Sequence, residues 1–377
     1  MEAALRSGAA ALALLGLYGL PWLSVAANRL VAGEPMGAAD ALGPAAHALA
    51  LLIVVAATAR RVLPEWLASV LLTLGVAAAV GATGLAAARV LEGRPPAARA
   101  MLGSGFWLTL GAACLLLALR ARGPGWRSWW PAAALAAALA LLWRSGALDA
   151  LSLAAEYRAR ADLVHAAVLR HLFLSAAALG LAALFAVPLG WWAFRSNRAE
   201  AAVGGALNGL QVVPALALFG LLIPLLSALL GAAPWLRVAG LEAIGAAPAL
   251  IAVSAYAALP LWRAVVAGLG AADPAAIAAA RAMGMTEERI AAEVRVPLGL
   301  PVFAAGLRVA AVQCIGLATL GGLVGAGGLG AVVFEGMAQF AADLILVGAL
   351  PIVALALLAD AMLRSLEARA AGRLRGA

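Results

Sequence analysis

An all-α fold that crosses a membrane about ten times follows from three features of this sequence. Of its 377 residues, 66% are hydrophobic and 12% charged, and the mean hydropathy is +1.02, far above that of an ordinary soluble domain. The apolar residues gather into runs of roughly 20, the length a helix needs to cross the hydrocarbon layer of a bilayer. The arginines stand at the ends of those runs, where the positive-inside rule places them in a polytopic membrane protein. This placement accounts for the net charge of +8 without a nucleic-acid surface, so membrane lipid is the expected surrounding and no nucleic-acid partner is expected.

The first five expected spans cover residues 8–28, 41–59, 66–88, 101–119 and 129–143, which makes residues 1–144 an N-terminal membrane region. Arg6, the apolar run after it and the SVA triplet resemble a secretory leader, but an uncleaved first span fits the arginine pattern. The stretch SGALDALSLAAEYRARADLVHAAVLR, residues 145–170, is mixed in charge and is expected to form a helical, extracytoplasmic connector. Spans at 171–194, 203–230, 244–267, 301–321 and 343–363 then make a second membrane region, residues 171–365, followed by a cytoplasmic tail at 366–377. With this count Arg6, Arg60, Arg61, Arg120, Arg122, Arg127, Arg195, Arg198, Arg364, Arg369, Arg373 and Arg375 share one side with both termini. That side is expected to be the cytoplasm. Arg89, Arg94 and Arg99, and Arg158, Arg160 and Arg170, form the minority opposite, the second group partly offset by Asp149, Glu156 and Asp162.

Cys114 and Cys314 lie inside apolar segments and are read as core, and His47, His165 and His171 are scattered. Neither a metal site nor a catalytic site is expected. The most informative polar stretch is AAIAAARAMGMTEERIAAEVRVPLGLP, residues 275–301, between the eighth and ninth spans. Asp273 before Pro274 is an N-cap with proline at the first helical position, where its missing N–H costs nothing. Gly284 is suited to the left-handed turn that ends a helix. Thr286 then caps a second helix with Glu287 and Glu288 in its positive first turn. Ile290 and Val294 share a face, and Pro297 is expected to stop the run. Such a pair of helices is either an amphipathic connector on the membrane surface or an element that docks into a partner. Its alanine-rich face, lacking a ridge of Trp, Phe or Leu, suits close docking.

At this stretch the sequence resembles the EAA loop of ABC-importer permeases: EAA, three residues, G, nine residues, I, any residue, L, P. Here the positions read Ala278, Ala279, Ala280, then Gly284, then Val294, Val296 and Pro297. The spacing is kept, while the family Glu is Ala278 and its Ile and Leu are both Val. The resemblance implies that Ile277, Ala278, Ala279, Ala280, Gly284, Ile290, Val294, Val296 and Pro297 form a coupling helix seated in a cytoplasmic ABC ATPase subunit. The stretches LNGLQVVPALALFGLLIPLL (Leu207 to Leu226), LPLWRAVVAGL (Leu259 to Leu269) and IGLATLGGLVGAGGLG (Ile315 to Gly330) are similar to permeases of glycine betaine, carnitine and choline importers. The five spans before the core resemble the longer form of that osmoprotectant family. The resemblance implies a C-terminal five-helix ABC-importer permease core in a bacterial inner membrane. It also implies an extracytoplasmic solute-binding protein and a second permease subunit, the same or a related chain. No cofactor is expected on this chain, ATP and Mg being used by the partner ATPase.

GAGGLG, Gly325 to Gly330, matches a dinucleotide fingerprint by letter, but a span rather than a strand precedes it and no Lys-Ser or Lys-Thr pair makes it a P-loop. Its glycines are expected to let backbone approach closely or to break a helix near the outer face, the alternative being plain helix packing. Pro214 and Pro224 lie inside the seventh span, with Gln211 one turn before Pro214, and Gln313 and Thr319 lie in the ninth. Polar groups at such depth face a bundle interior or a pathway, or else bond helix to helix. Gln211, Pro214, Phe219, Gln313, Thr319 and Gly325 are the candidates for a translocation path. Arg308 is expected to snorkel, and Asp360 and Arg364 to pair four residues apart at the cytoplasmic edge. The expected function is the permease subunit, not itself an enzyme, of an ATP-driven importer of a compatible solute such as glycine betaine. The alternatives are an ABC permease for another small solute such as an amino acid, and a channel or proton-coupled carrier. A proton relay wants several buried acids, and the core spans supply only Asp343 and Asp360.

Overall fold

The computed structural model describes residues 1–29, 31–58, 63–120, 130–238 and 240–375, with the side chains of 370 and 373–375 outside that description. Arg60, Arg61, Arg122 and Arg127, together with the side chains of Arg373 and Arg375, therefore lie outside the described residues. The chain forms two compact units, Met1–Arg160 and Ala161–Ala377. Both are predominantly helical, as the composition requires. Among the described residues, six helices are long and apolar enough to cross a membrane: Glu65–Leu91, Ala161–Arg195, Ala215–Ala232, Ala246–Gly270, Glu287–Val324 and Ala342–Arg369. Shorter apolar helices cover Pro44–Thr58, Ser104–Arg120, Trp130–Arg144 and Leu329–Ala338.

In the first unit, α1 (Glu2–Gly19) is followed by β1 (Leu23–Ala26), β2 (Glu34–Met36), α2 (Ala38–Leu42), α3 (Pro44–Thr58) and α4 (Glu65–Leu91). Then come β3 (Arg99–Leu102), α5 (Ser104–Arg120), α6 (Trp130–Arg144) and α7 (Ser152–Ala159). The expected span at 8–28 is corrected here. Pro21 cannot extend the helix, and the next residues form the central strand of an antiparallel sheet ordered β2-β1-β3. Trp22 is buried beside this sheet, donating from Nε1 to Thr83 Oγ1 at 2.9 Å and meeting Phe106 edge to face. Arg6 and Arg120, expected as flanking cytoplasmic charges, are instead 2% and 5% exposed. They share Glu65, Arg6 at 3.2 Å and Arg120 at 3.0 Å, while Arg6 also meets Glu2 at 2.9 Å. Arg6 also donates to the Leu119 carbonyl and Arg120 to the Ala56 carbonyl. Charges withdrawn from water need counter-charges, and the network ties α1, α3, α4 and α5 together. Of the two cysteines, Cys314 is buried and Cys114 is exposed on α5.

The second unit begins with α8 (Ala161–Arg195), which starts within the expected connector and runs unbroken through the sixth span. It continues through α9 (Asn197–Val212), α10 (Ala215–Ala232), α11 (Trp235–Val238), α12 (Ala246–Gly270), α13 (Pro274–Ala282) and α14 (Glu287–Ile290). A π turn at Ala291–Arg295 leads into α15 (Val296–Ala318), and a 3₁₀ segment, Thr319–Val324, precedes α16 (Leu329–Ala338) and α17 (Ala342–Arg375). The expected seventh span is two helices, because Pro214 interrupts the ladder between α9 and α10. Pro297 does not stop a helix. It directly follows the π turn in the first turn of α15, and the helix runs on through it. The core is made by α12 packed against α8 and α15, with α17 against α15 and α16. Where α12 ends and α15 begins, a Cβ at Gly299 would collide with the Gly268 carbonyl, so only glycine permits this backbone contact.

Candidate functional site

Residues 273–298 fold into a helical hairpin with its own small core. Asp273 caps α13 by accepting the Ala275 N–H at 2.8 Å, and Thr286 caps α14 by accepting the Arg289 N–H at 3.3 Å. Between them Gly284 has φ +78°, and the Met285 N–H reaches back to the Ala280 carbonyl at 3.2 Å, the bond that closes a helix end on a left-handed residue. Ile277, Ala280 and Ile290 are buried against one another with Ala272, and Met285, Val294 and Leu298 border them. Burying the two isoleucines contributes about 2 kcal/mol each.

The opposite face is open. Ala275, Ala278, Ala279, Ala282 and Met283 are exposed, and so are Val296 and Pro297. Of the alanines in the EAA-like triplet, Ala280 is therefore turned inward, and the small-residue surface is set by Ala275, Ala278, Ala279 and Ala282, spaced as one helical face. Two ion pairs rim the hairpin, Arg281–Glu287 at 2.7 Å and Arg289–Glu293 at 2.9 Å. The Arg281 hydrogen bond holds the Glu287 carboxyl below its ordinary pKa. Arg295 anchors the hairpin to the bundle, donating to the Leu269 carbonyl at 3.0 Å with its guanidinium over the Phe194 ring.

The six path candidates take different roles. Pro260 inside α12 has no N–H, which leaves the Tyr256 carbonyl one turn earlier without its helical partner. Gln211 Nε2 donates to that carbonyl at 2.9 Å, while the Tyr256 hydroxyl donates to the Val213 carbonyl beside Pro214. Two proline breaks are thus satisfied by one reciprocal clamp, and each orphaned carbonyl it serves would cost about 1–3 kcal/mol if left dry. Tyr256 was legible in principle, since it stands four residues before a proline within a span. Phe219 is 1% exposed and packs in the core of this unit. Thr319 opens the 3₁₀ segment and Gly325 closes it with φ +79°. Gln313 lines an open-sided cavity with Arg308 and Asp360.

Three groups take contacts here that the sequence reading did not assign to them. His171 is fully buried, and its Nε2 donates to the Ile315 carbonyl at 2.9 Å. That carbonyl is available because the Thr319 N–H turns to Gly316 as the helix tightens. Arg170 donates to the Ala326 carbonyl at 3.0 Å, so the N-terminal part of α8 holds the GAGGLG loop, in which Gly325, Gly327 and Gly328 all have positive φ. Arg308 does not snorkel. It bonds Asp360 at 2.9 Å across α15 and α17, and Asp360 also meets Arg364 at 2.6 Å.

Residues 178–372 match the family model described as the binding-protein-dependent transport system inner membrane component, and residues 5–154 match the N-terminal domain of ABC transporter permease YehY. The chain is 38% identical over 200 residues to the carnitine transport permease protein OpuCB of Listeria monocytogenes, covering 53% of this chain and 84% of that one. It is 37% identical over 198 residues to the osmoprotectant import permease protein OsmW of Salmonella typhimurium, covering 52% and 87%. It is 32% identical over 197 residues to the glycine betaine/carnitine/choline transport system permease protein OpuCB of Bacillus subtilis, covering 52% and 83%. A solved structure of the MetNI methionine ABC transporter aligns with a TM-score of 0.49 at 21% identity, over 56% of this chain and 97% of that one. With its apolar helical bundle, and with a family match spanning the packed core and the capped hairpin, the chain belongs to the binding-protein-dependent transport system inner membrane components and is a membrane-embedded permease subunit of an ABC importer.

Proposed function

We propose that this chain is the translocating subunit of an ATP-driven importer for glycine betaine or a related quaternary amine in a bacterial inner membrane. The observation that carries the substrate class is the identity of its core to permeases of carnitine, choline and osmoprotectant systems. The chain moves solute without chemical change and binds no cofactor. ATP and Mg act in separate ATPase subunits. These dock on the exposed face of α13, where alanines permit close approach and Met283, 74% exposed, supplies an adaptable apolar knob. Movement of the hairpin reaches the bundle through the Arg295 anchor and the Gly268–Gly299 contact. Both termini and Arg289 lie in the cytoplasm by the arginine distribution. An extracytoplasmic binding protein delivers solute to the opposite side, and a second permease subunit completes the pathway.

The test is reconstitution in vesicles with the ATPase and binding protein. Uptake of labelled glycine betaine that requires both partners and ATP is the expected result. Uptake that needs neither partner and collapses with the proton gradient would identify a channel or proton-coupled carrier instead.

A further inference from the structure

The pairing of Arg308 with Asp360 has a property that the importer reading does not use. Both residues lie in long apolar helices, Glu287–Val324 and Ala342–Arg369. Arg308 stands between Asp360 at 2.9 Å and Glu367 at 3.2 Å, and Asp360 between Arg308 and Arg364. The four charges sum to zero. Arg308 and Asp360 are each 27% exposed, and beside them opens a cavity of about 390 Å³ lined by Arg308, Val309, Val312, Gln313 and Asp360. As a helix fastener, an ion pair in such a place is poorly suited, because well-packed apolar residues hold helices as firmly without the desolvation penalty. An ionisable pair within membrane-spanning helices and beside an open cavity is a functional-site hypothesis by default.

We propose that this cavity is a transient binding site for zwitterionic solutes. A carboxylate displaces Asp360 from Arg308 and takes the guanidinium, with the Gln313 amide as a second donor. The solute's cationic end takes the released Asp360 carboxylate, and its methyl groups rest on Val309 and Val312. One ion pair becomes two, and the net charge of the site does not change. A solute that is only a cation leaves Arg308 with Glu367 alone while adding positive charge between two arginines, so the site gains a net charge that a zwitterion does not bring. The cavity therefore selects zwitterions over simple quaternary cations. This deepens the proposed function and rests on it for the substrate class.

The test measures binding to the full-length chain in lipid nanodiscs, without ATPase or binding protein, using labelled glycine betaine and choline as probes. The expected result is glycine betaine binding about tenfold or more tighter than choline, the worth of one charge-assisted hydrogen bond. Arg308→Gln removes that preference. Val312→Trp fills the cavity without touching the ion pair and abolishes binding of both, and an unchanged elution profile on size exclusion shows that it is folded. Equal affinity for the two solutes, undetectable binding of either, or full binding by a folded Val312→Trp chain overturns the proposal. Because this assay needs no partner, it separates the two claims. Failure of ATP-driven uptake refutes the importer reading, and failure of selective binding refutes the site.

Discussion

Replacing Gly284 tests how the hairpin transmits force. At φ +78° the residue lies in the left-handed region, and a Cβ built there meets nothing within 4 Å. Any penalty within this chain is therefore backbone conformation and not collision. For alanine that penalty is about 1 kcal/mol, and for a β-branched valine about 2 kcal/mol. Asparagine visits the region routinely and costs least. Burial of Ile277 and Ile290, about 4 kcal/mol together, outweighs the strain. The two helices persist and the elbow angle gives way. A penalty of 2 kcal/mol lowers the population of the docking geometry by roughly 30-fold. Transport and solute-stimulated ATP hydrolysis, measured in vesicles carrying the whole importer at matched permease levels, should rank Asn above Ala above Val, with Val nearly inactive. Normal transport by Gly284→Val would refute the reasoning outright. Asparagine as damaging as valine would show that side-chain volume against a partner, and not backbone conformation, decides the position.

Three further outcomes are expected. Ala279→Trp should leave the hairpin folded and lose ATPase co-purification, because Ala279 is exposed, whereas Ala280→Trp should overpack the inner face at about 1–3 kcal/mol and be read as faster hydrogen exchange across 277–290; equal behaviour of the two would contradict the assigned faces. Glu65→Ala removes the carboxylate shared by Arg6 and Arg120, leaving Arg6 its Glu2 pair, and should lower the stability of the first unit by about 1–3 kcal/mol, seen as earlier thermal unfolding in detergent; an unchanged midpoint would count against the network. Since Arg281 holds the Glu287 carboxyl below its ordinary pKa, the stabilisation from this pair is present above the unfolded carboxylate value and is lost as pH falls through the depressed folded one; the protection of the elbow amides, taken relative to their intrinsic exchange rates at each pH, should fall in acid, and Glu287→Gln should remove that dependence while remaining mild at neutral pH.

The elements that local chemistry controls were legible in the amino-acid order. Apolar runs of membrane length mark the long helices, and the Asp273–Pro274 start, the Gly284 turn and the Thr286 cap each act within a few residues, so the hairpin could be drawn before any contact was known. What failed to show in the sequence depends on partners far along the chain. Leu23–Ala26 reads as the end of a span until Glu34–Met36 and Arg99–Leu102 supply its strand neighbours. Arg6 and Arg120 look like flanking charges until folding brings Glu65 to both. The register of α13 against α14 decided that Ala280 faces in and Ala279 out, and helix packing decided that Gln211 serves the carbonyl orphaned by Pro260 and that Arg308 meets Asp360. Caps and hydropathy are properties of a short segment and survive in one dimension. A hydrogen bond or ion pair between helices is a property of two backbones in register, and it exists only once tertiary packing has set their distance.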